Sequence, residues 1–248
     1  MPASFPLALV TGAARRVGQA LALSLARQGY ALGLHYHTSA DEALATAAEI
    51  RALGVPVFPF QADLTQVSQI ERLFSALDET LTAHSSQLTG LSLLVNSASI
   101  MPRADARTLS AADFDAVLAL NLRAPFLLAQ QAYLRMPAGG LIVNLSDIAA
   151  RKAWAGFPAY TVSKAGLEAL TQVLARSFAP KVRVNAIAPG LVLASENVSP
   201  ADWDRLVQRL PLPRPAALAE ITSALEFLLK NEYITGQTLA VDGGYSLL

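Results

Sequence analysis

Residues 7–18 of this 248-residue chain read LALVTGAARRVG, an apolar run followed at once by a glycine-containing turn. The pattern predicts a strand over residues 7–10 and a helix over residues 16–28. Gly12 and Gly18 permit a tight turn and a close approach of the helix, and the backbone N–H groups of such a turn can face a phosphate. The usual middle glycine is absent, and Arg16 stands in its place. Taken alone, the stretch indicates either a nucleotide-binding turn or an ordinary β–α turn.

The same alternation of short apolar runs and longer helical segments continues to the C-terminus. Residues 67–83 give the clearest helix, with Ile70, Leu73, Phe74, Leu77 and Leu81 on one stripe. Because continuous apolar strands separated by helices need both faces covered, the strands should pair in parallel. The sequence therefore predicts an α/β fold, a single-domain Rossmann-like doubly wound parallel sheet with helices on both faces. The other predicted strands cover residues 31–34, 55–60, 91–95, 141–145, 182–187 and 238–241, and the other helices cover residues 41–53, 111–131, 159–178 and 217–229.

Composition limits the classes of function. The 19 basic and 19 acidic residues balance, and the basic residues are scattered, so we expect neither a nucleic acid nor a membrane as a partner. The chain has no cysteine and only 3 histidines, so we expect no disulfide framework and no metal. No window approaches about 18 uncharged apolar residues, and no export signal is recognisable. We expect one domain over residues 1–248, located in the cytoplasm.

One predicted connection is unusually long. Residues 191–215 are rich in proline and polar residues, lack strand character and separate the last two predicted strands. Long loops of this kind often close over a substrate. We therefore predict a substrate-binding lid over residues 191–215.

Two further turns support a dinucleotide site. Asp63, with Leu64 beside it, follows the third predicted strand and is suited to an adenine amino group. Asn96 and Ala98 belong to a turn after the fourth strand, where small residues let a dinucleotide lie against the backbone. Because the carboxyl ends of parallel strands share one sheet edge, these turns should lie beside the turn at Gly12.

The tip of the second strand indicates which dinucleotide is bound. It reads His37-Thr38-Ser39 and offers no Asp or Glu to a free ribose 2′-hydroxyl. The hydrogen-bond donors there, together with the charge of Arg15 or Arg16, favour a 2′-phosphate, so we predict NADPH. The alternative is that these polar residues only cap the next helix.

Tyr160 and Lys164 form the candidate catalytic pair. Residues four apart lie on one face of a helix, so the ammonium can approach the phenol and lower its pKa toward the working pH. This spacing also occurs by chance, and it gains weight here from the glycine turn upstream and from Pro189-Gly190 downstream. Asp147 precedes the tyrosine and serves either in the same site or as the cap of a turn.

At these residues the chain resembles the short-chain dehydrogenase/reductase family over essentially its whole length. Within that family it is most similar to the pteridine reductases, through Arg16, the string around His35 and Tyr36, and Asp147 where most members carry a catalytic serine. The family motifs present are Thr11-Gly12 with Gly18, the turn at residues 96–98, Asn121, Tyr160 with Lys164, Pro189-Gly190 and Val241-Asp242-Gly243-Gly244.

The resemblance implies a role for each site residue. Lys164 would hold the nicotinamide ribose, Asn121 would bind a water that links the lysine to solvent, and Arg16 would contact both a cofactor phosphate and the pterin. The implied catalytic set is Asp147, Tyr160, Lys164 and Asn121. The cofactor-binding set is Gly12, Arg15, Arg16, Val17, His37, Thr38, Ser39, Asp63, Leu64, Asn96, Ala98, Tyr160, Lys164, Pro189 and Gly190. The substrate-binding set is Arg16, Ser99, Met101, Asp147, Trp154, Phe157, Tyr160 and Gly190.

Two positions depart from the pteridine reductase pattern. Met101 stands where the protozoan enzymes stack an aromatic ring on the pterin, and Thr38 stands where they carry an arginine for the 2′-phosphate. Trp154 and Phe157 would replace the aromatic surface, or would instead belong to the core or to a subunit contact.

The resemblance implies a homotetramer that uses NADPH to reduce a C=N bond of a dihydropterin or of dihydrofolate. Apolar runs at residues 126–129 and 167–174 and an apolar tail at residues 245–248 offer surface for the subunit contacts. Two other functions stay open. One is an NADPH-dependent carbonyl or 3-oxoacyl thioester reductase of the same fold, which Met101 favours and Asp147 disfavours. The other is a non-catalytic nucleotide-sensing protein, which the intact Tyr160, Lys164 and Asn121 argue against.

Overall fold

Seven parallel strands form one sheet in the order β3-β2-β1-β4-β5-β6-β7. The computed structural model describes residues 4–194 and 198–248. The predicted doubly wound α/β fold is confirmed, and all seven predicted strands are present. The strands are β1 (Phe5–Val10), β2 (Ala31–Tyr36), β3 (Val57–Gln61), β4 (Leu88–Asn96), β5 (Gly140–Leu145), β6 (Val182–Pro189) and β7 (Thr238–Val241).

Helices cover both faces of the sheet because each carries one apolar stripe. Leu25 of the first helix and Leu225 of the last are buried against one face, and Phe74 and Leu128 are buried against the other. The helices are α1 (Arg16–Arg27), α2 (Ala40–Ala52), α3 (Val67–Ala83), α4 (Ala111–Leu118), α5 (Ala124–Arg135), α6 (Pro158–Phe178), α7 (Pro200–Gln208) and α8 (Leu218–Lys230). None of the helices in the described part of the chain is long and apolar enough to cross a membrane.

Two predicted elements differ from the structure. The single helix predicted over residues 111–131 is divided into α4, a π-helical turn (Ala119–Arg123) and α5. The segment at 191–215, predicted as a loop, contains α7, which Ser199 caps by accepting from the Asp202 backbone N–H at 3.1 Å, with Pro200 in its first turn. Residues 195–197 of the predicted lid lie outside the described residues.

The strand order reverses direction at β1, which pairs with β2 on one side and with β4 on the other. The loops that follow β1 and β4 therefore leave the sheet edge on opposite faces and open a crevice between them. In open α/β sheets, ligands bind in this crevice at the carboxyl ends of the strands. The fold thus brings the turn at Gly12 next to the turn at Ala98, as the sequence predicts.

Candidate active site

A cleft of about 1410 Å³ opens at the carboxyl edge of the sheet. Pockets for one small ligand are commonly about 300–1,000 Å³, so this cleft has room for two ligands side by side. Every residue predicted to bind cofactor or substrate lines it, apart from Asn96. Of the predicted catalytic residues, Asn121 does not line it.

The turn after β1 offers a row of backbone donors. Within the described chain, the N–H groups of residues 14–18 have no hydrogen-bond partner. They lie at the start of α1, where unpaired donors and the helix dipole favour a phosphate. Gly12 has φ +63°, and a Cβ there would lie 2.9 Å from the Ala98 Cα, so only glycine lets the two turns approach this closely. These features fit the pyrophosphate of a dinucleotide.

Gly12 itself does not offer its N–H to a ligand. That group donates to Nδ1 of His35 at 3.2 Å. Gly12 therefore contributes to the predicted cofactor site by letting the backbone turn tightly against Ala98. The backbone N–H groups that are free to bind a phosphate begin at Ala14.

Arg16 occupies a conformation that usually belongs to glycine. Its φ is +56°, the sole positive value among the described non-glycine residues. The exposed guanidinium donates to the carbonyl oxygens of Leu193 and Ala194 at 3.0–3.1 Å. Backbone strain of this kind is commonly retained at functional sites. Arg16 thus joins the turn after β1 to the segment that was predicted to form a lid.

The cleft extends to the tips of β2 and β3, where the residues predicted to meet the adenosine lie. His37 and Thr38 are exposed on the rim, as expected for groups that meet a 2′-phosphate. Asp63 lies in the cleft, and its Oδ1 accepts from both the backbone N–H and the hydroxyl of Thr65, at 2.9 and 2.7 Å. A carboxylate has further acceptor sites, so an amino group can still bind there.

Asn96 lies beneath the cleft instead of in its wall. Its side chain is buried and donates to Oδ1 of Asn144 on the neighbouring strand at 2.8 Å. The cleft lining begins one residue later, at Ser97. The prediction that Asn96 binds cofactor is therefore not supported by its side chain, which ties β4 to β5.

Asp147, Tyr160 and Lys164 all line the cleft. The Tyr160 hydroxyl donates to Oδ2 of Asp147 at 2.8 Å, and the Ala149 N–H donates to Oδ1 at the same distance. Asp147 therefore caps a short 3₁₀ helix (Ile148–Arg151) and binds the tyrosine at once, so the two predicted roles coexist. The Lys164 ammonium donates to the Leu145 carbonyl at 2.7 Å and lies 5.6 Å from the Tyr160 ring centroid.

Burial dominates the protonation of all three groups. It raises the pKa of the Asp147 carboxyl and lowers that of the Lys164 ammonium to about 8. Burial, and then the charge and hydrogen bond of Asp147, raise the pKa of the Tyr160 phenol well above its usual value. The expectation that Lys164 lowers the tyrosine pKa is therefore wrong for this arrangement, because the hydroxyl faces a carboxylate and the ammonium faces a carbonyl.

Asn121 supports the loop that follows β4. It is buried in the π-helical turn, where its Oδ1 accepts from the Ile100 N–H at 3.0 Å and its Nδ2 donates to the Ile100 carbonyl and to the Ser163 hydroxyl. Both amide hydrogens are thus used within the protein. These bonds fix the start of a segment that carries Met101 into the cleft.

The cleft residues that were predicted to bind substrate include several aromatic and apolar side chains. Met101 lines the cleft, and the Trp154 ring lies 6.2 Å from Phe157 and 6.0 Å from Tyr245, between ring centroids. The sequence prediction missed Tyr245 and Trp203 as lining residues. The capping pattern Ser199-Pro200 with Asp202 was the available signal for α7, and hence for Trp203.

Comparison with known proteins places the chain in one family. Residues 12–246 match the family model described as Enoyl-(Acyl carrier protein) reductase. The 3-oxoacyl-[acyl-carrier-protein] reductase FabG of Staphylococcus epidermidis is 33% identical over 244 residues, which cover 96% of this chain and 97% of that protein.

Two solved structures add detail. FolM Alternative dihydrofolate reductase 1 from Brucella canis, complexed with NADP, is 36% identical with a TM-score of 0.87 and covers 100% of this chain and 96% of its own. The landomycin C-6 ketoreductase LanV, with bound NADP and rabelomycin, is 32% identical with a TM-score of 0.89 and covers 99% of this chain and 98% of its own. Because the family model and these relatives span nearly the whole sequence, the chain belongs to the short-chain dehydrogenase/reductase family.

Proposed function

We propose that the protein is an NADPH-dependent reductase of dihydropterins or dihydrofolate. The observation that carries this proposal is the carboxylate of Asp147 in the catalytic centre, hydrogen-bonded to Tyr160. A carboxylate oxygen keeps a free acceptor site after one bond, so Asp147 can still accept from the amino group and ring N–H of a pterin. The similarity to an alternative dihydrofolate reductase agrees with this substrate class.

The cofactor is NADPH, as the sequence predicts. Three features fit it: the unpaired N–H groups of residues 14–18, the close packing of Gly12 on Ala98, and a β2 tip without a carboxylate. The FolM and LanV structures were both solved with NADP. Bound in this cleft, the cofactor would supply the hydride.

The protein would supply orientation and the proton. The Tyr160 hydroxyl, which donates to Asp147 at 2.8 Å, lines the cleft and would deliver the proton to a bound substrate ring. Lys164, whose ammonium donates to the Leu145 carbonyl, also lines the cleft and would hold the nicotinamide ribose. Trp154, Phe157 and Tyr245 would cover the substrate and exclude water.

The runner-up is an NADPH-dependent carbonyl or 3-oxoacyl thioester reductase. The similarity to FabG and LanV and the Met101 position favour it. Asp147 disfavours it, because a carboxylate polarises a ketone oxygen only when it is protonated. An assay of NADPH oxidation with dihydrobiopterin and with acetoacetyl thioester separates the two. Oxidation with either substrate also excludes the third candidate, a non-catalytic nucleotide sensor.

We expect NADPH to be preferred over NADH by about 1–2 kcal/mol in kcat/KM, which is about 5- to 30-fold. The preference is modest because the β2 tip offers donors but no arginine. Thr38→Asp should invert it by placing a carboxylate against the 2′-phosphate. Steady-state kinetics with both cofactors measure this, and Thr82→Asp, an exposed change outside the cleft, is the matched control. Equal kcat/KM for the two cofactors in the wild type would contradict the prediction.

We also expect a homotetramer. Leu128 and Leu167, which lie in the runs predicted to make subunit contacts, are buried in the core and cannot contact another subunit. Phe126 on α5 and Val162 and Val173 on α6 are exposed, as are Leu247 and Leu248 in the tail. Such apolar side chains, exposed on long helices, are typical of subunit contacts.

Light scattering at micromolar concentration should give about four times the mass of one chain. Val173→Glu should lower that mass, because it buries a charge in the expected contact. Val67→Glu, an equally polar change on α3, should leave it unchanged. A monomeric wild type would end the tetramer prediction.

A further inference from the structure

His35 is a fully buried side chain that joins two loops of the cofactor half. It lies on β2 with 2% of its surface exposed. Its Nδ1 is 3.2 Å from the backbone nitrogen of Gly12, in the turn after β1. Its Nε2 is 3.0 Å from the carbonyl oxygen of Ala62, in the turn after β3. The imidazole ring thus hydrogen-bonds both to the turn after β1, called here the pyrophosphate turn, and to the turn that carries Asp63.

These partners fix the protonation of the ring. A backbone N–H can only donate, so Nδ1 must present its lone pair to Gly12. A carbonyl can only accept, so Nε2 must carry the hydrogen. The ring is therefore neutral, in the Nε2–H tautomer. Burial agrees with this assignment, since it lowers the pKa of His35 to about 4.

The backbone around His35 reinforces the same connection. The His35 carbonyl accepts from the Ala13 N–H at 2.9 Å, and the Ala62 N–H donates to the Tyr36 carbonyl at 3.1 Å. The imidazole also gives the Gly12 N–H an acceptor. Gly12 has a left-handed backbone conformation, and its N–H has no partner among the strand hydrogen bonds. The unpaired N–H groups of residues 14–18 begin two residues beyond this anchor.

We propose that His35 is a positioning residue for NADPH, acting through Gly12 and Ala62. Its ring holds the pyrophosphate turn and the Asp63 turn at a fixed separation before the cofactor arrives. The free donors of the turn after β1 are then preorganised, and binding costs less conformational entropy. The proposal rests on the NADPH part of the proposed function and is independent of the pterin part.

Two variants test it. His35→Leu keeps an apolar side chain in the buried position and removes both hydrogen bonds, whereas His35→Gln retains one acceptor and one donor. We expect the leucine variant to weaken the NADPH Kd, measured by fluorescence titration, about tenfold or more, because binding must then order the two turns that the histidine no longer fixes. The kcat at saturating NADPH and the KM for the second substrate should stay within about twofold. The glutamine variant should recover most of the affinity.

A measurement on the wild-type protein tests the proposal even if the variants do not fold. At pH 7, the imidazole ¹⁵N resonances should report a neutral ring with hydrogen on Nε2, and the Gly12 amide should be protected from exchange. A charged ring or the Nδ1–H tautomer would overturn the proposal. So would a folded leucine variant that binds NADPH as the wild type does. If the wild type does not bind NADPH at all, the proposed function fails and the proposal for His35 fails with it.

Discussion

Tyr160→Phe should lower turnover by about two to four orders of magnitude, the usual contribution of a general acid–base group. The hydroxyl belongs to a residue that lines the cleft and donates to Asp147 at 2.8 Å, so its removal takes away the proposed proton donor. NADPH affinity should change little, because other loops would make the pyrophosphate and adenosine contacts. Single-turnover kinetics and a cofactor titration measure the two effects separately.

A matched control is available on α5. Tyr133→Phe removes a hydroxyl from a tyrosine that stacks on Phe178 outside the cleft, so it should leave turnover unchanged. If Tyr160→Phe keeps the wild-type rate, the proton comes from another group. Asp147, whose pKa burial raises, would then be the first candidate.

The sheet and the position of the cleft could be predicted because their signals are local. Short apolar runs define the strands, and Gly12 and Gly18 define the turn after β1. Neither signal depends on contacts with distant parts of the chain. Once the strands are parallel, their carboxyl ends must share one edge, so residues distant in sequence, such as Asp63 and Tyr160, are expected in one site. The structure confirms that both line the same cleft.

The features that were missed depend on tertiary contacts. The tyrosine pKa is set by burial and by which group faces the hydroxyl, and neither follows from the spacing of Tyr160 and Lys164. His35 looked like part of a motif string, whereas its role depends on two loops that only the fold brings together. Helix α7 had a local signal at Ser199, but the surrounding prolines made the segment resemble a loop.

Asp147→Ser should abolish most dihydropterin reduction, since it removes the only carboxylate that lines the catalytic end of the described cleft. Loss of a charged group that would hydrogen-bond to the pterin should lower kcat/KM by about one to two orders of magnitude. The serine hydroxyl can donate to a ketone oxygen, so activity toward acetoacetyl thioester should stay level or rise. The measurement is the ratio of kcat/KM for dihydrobiopterin and acetoacetyl thioester, in variant and wild type.

Asp147→Asn removes the negative charge of the side chain but keeps its ability to cap the 3₁₀ helix. Asparagine can still accept from the Ala149 N–H, so the 3₁₀ turn should persist, and a loss of pterin turnover in this variant would belong to the carboxylate itself. Methotrexate, a 2,4-diamino pteridine, should inhibit the wild type and bind both variants poorly. If the wild type instead reduces acetoacetyl thioester well, ignores dihydropterins and is insensitive to methotrexate, the pterin assignment is wrong. Met101, where the protozoan pteridine reductases stack an aromatic ring, would then be the residue that correctly indicated a ketone substrate.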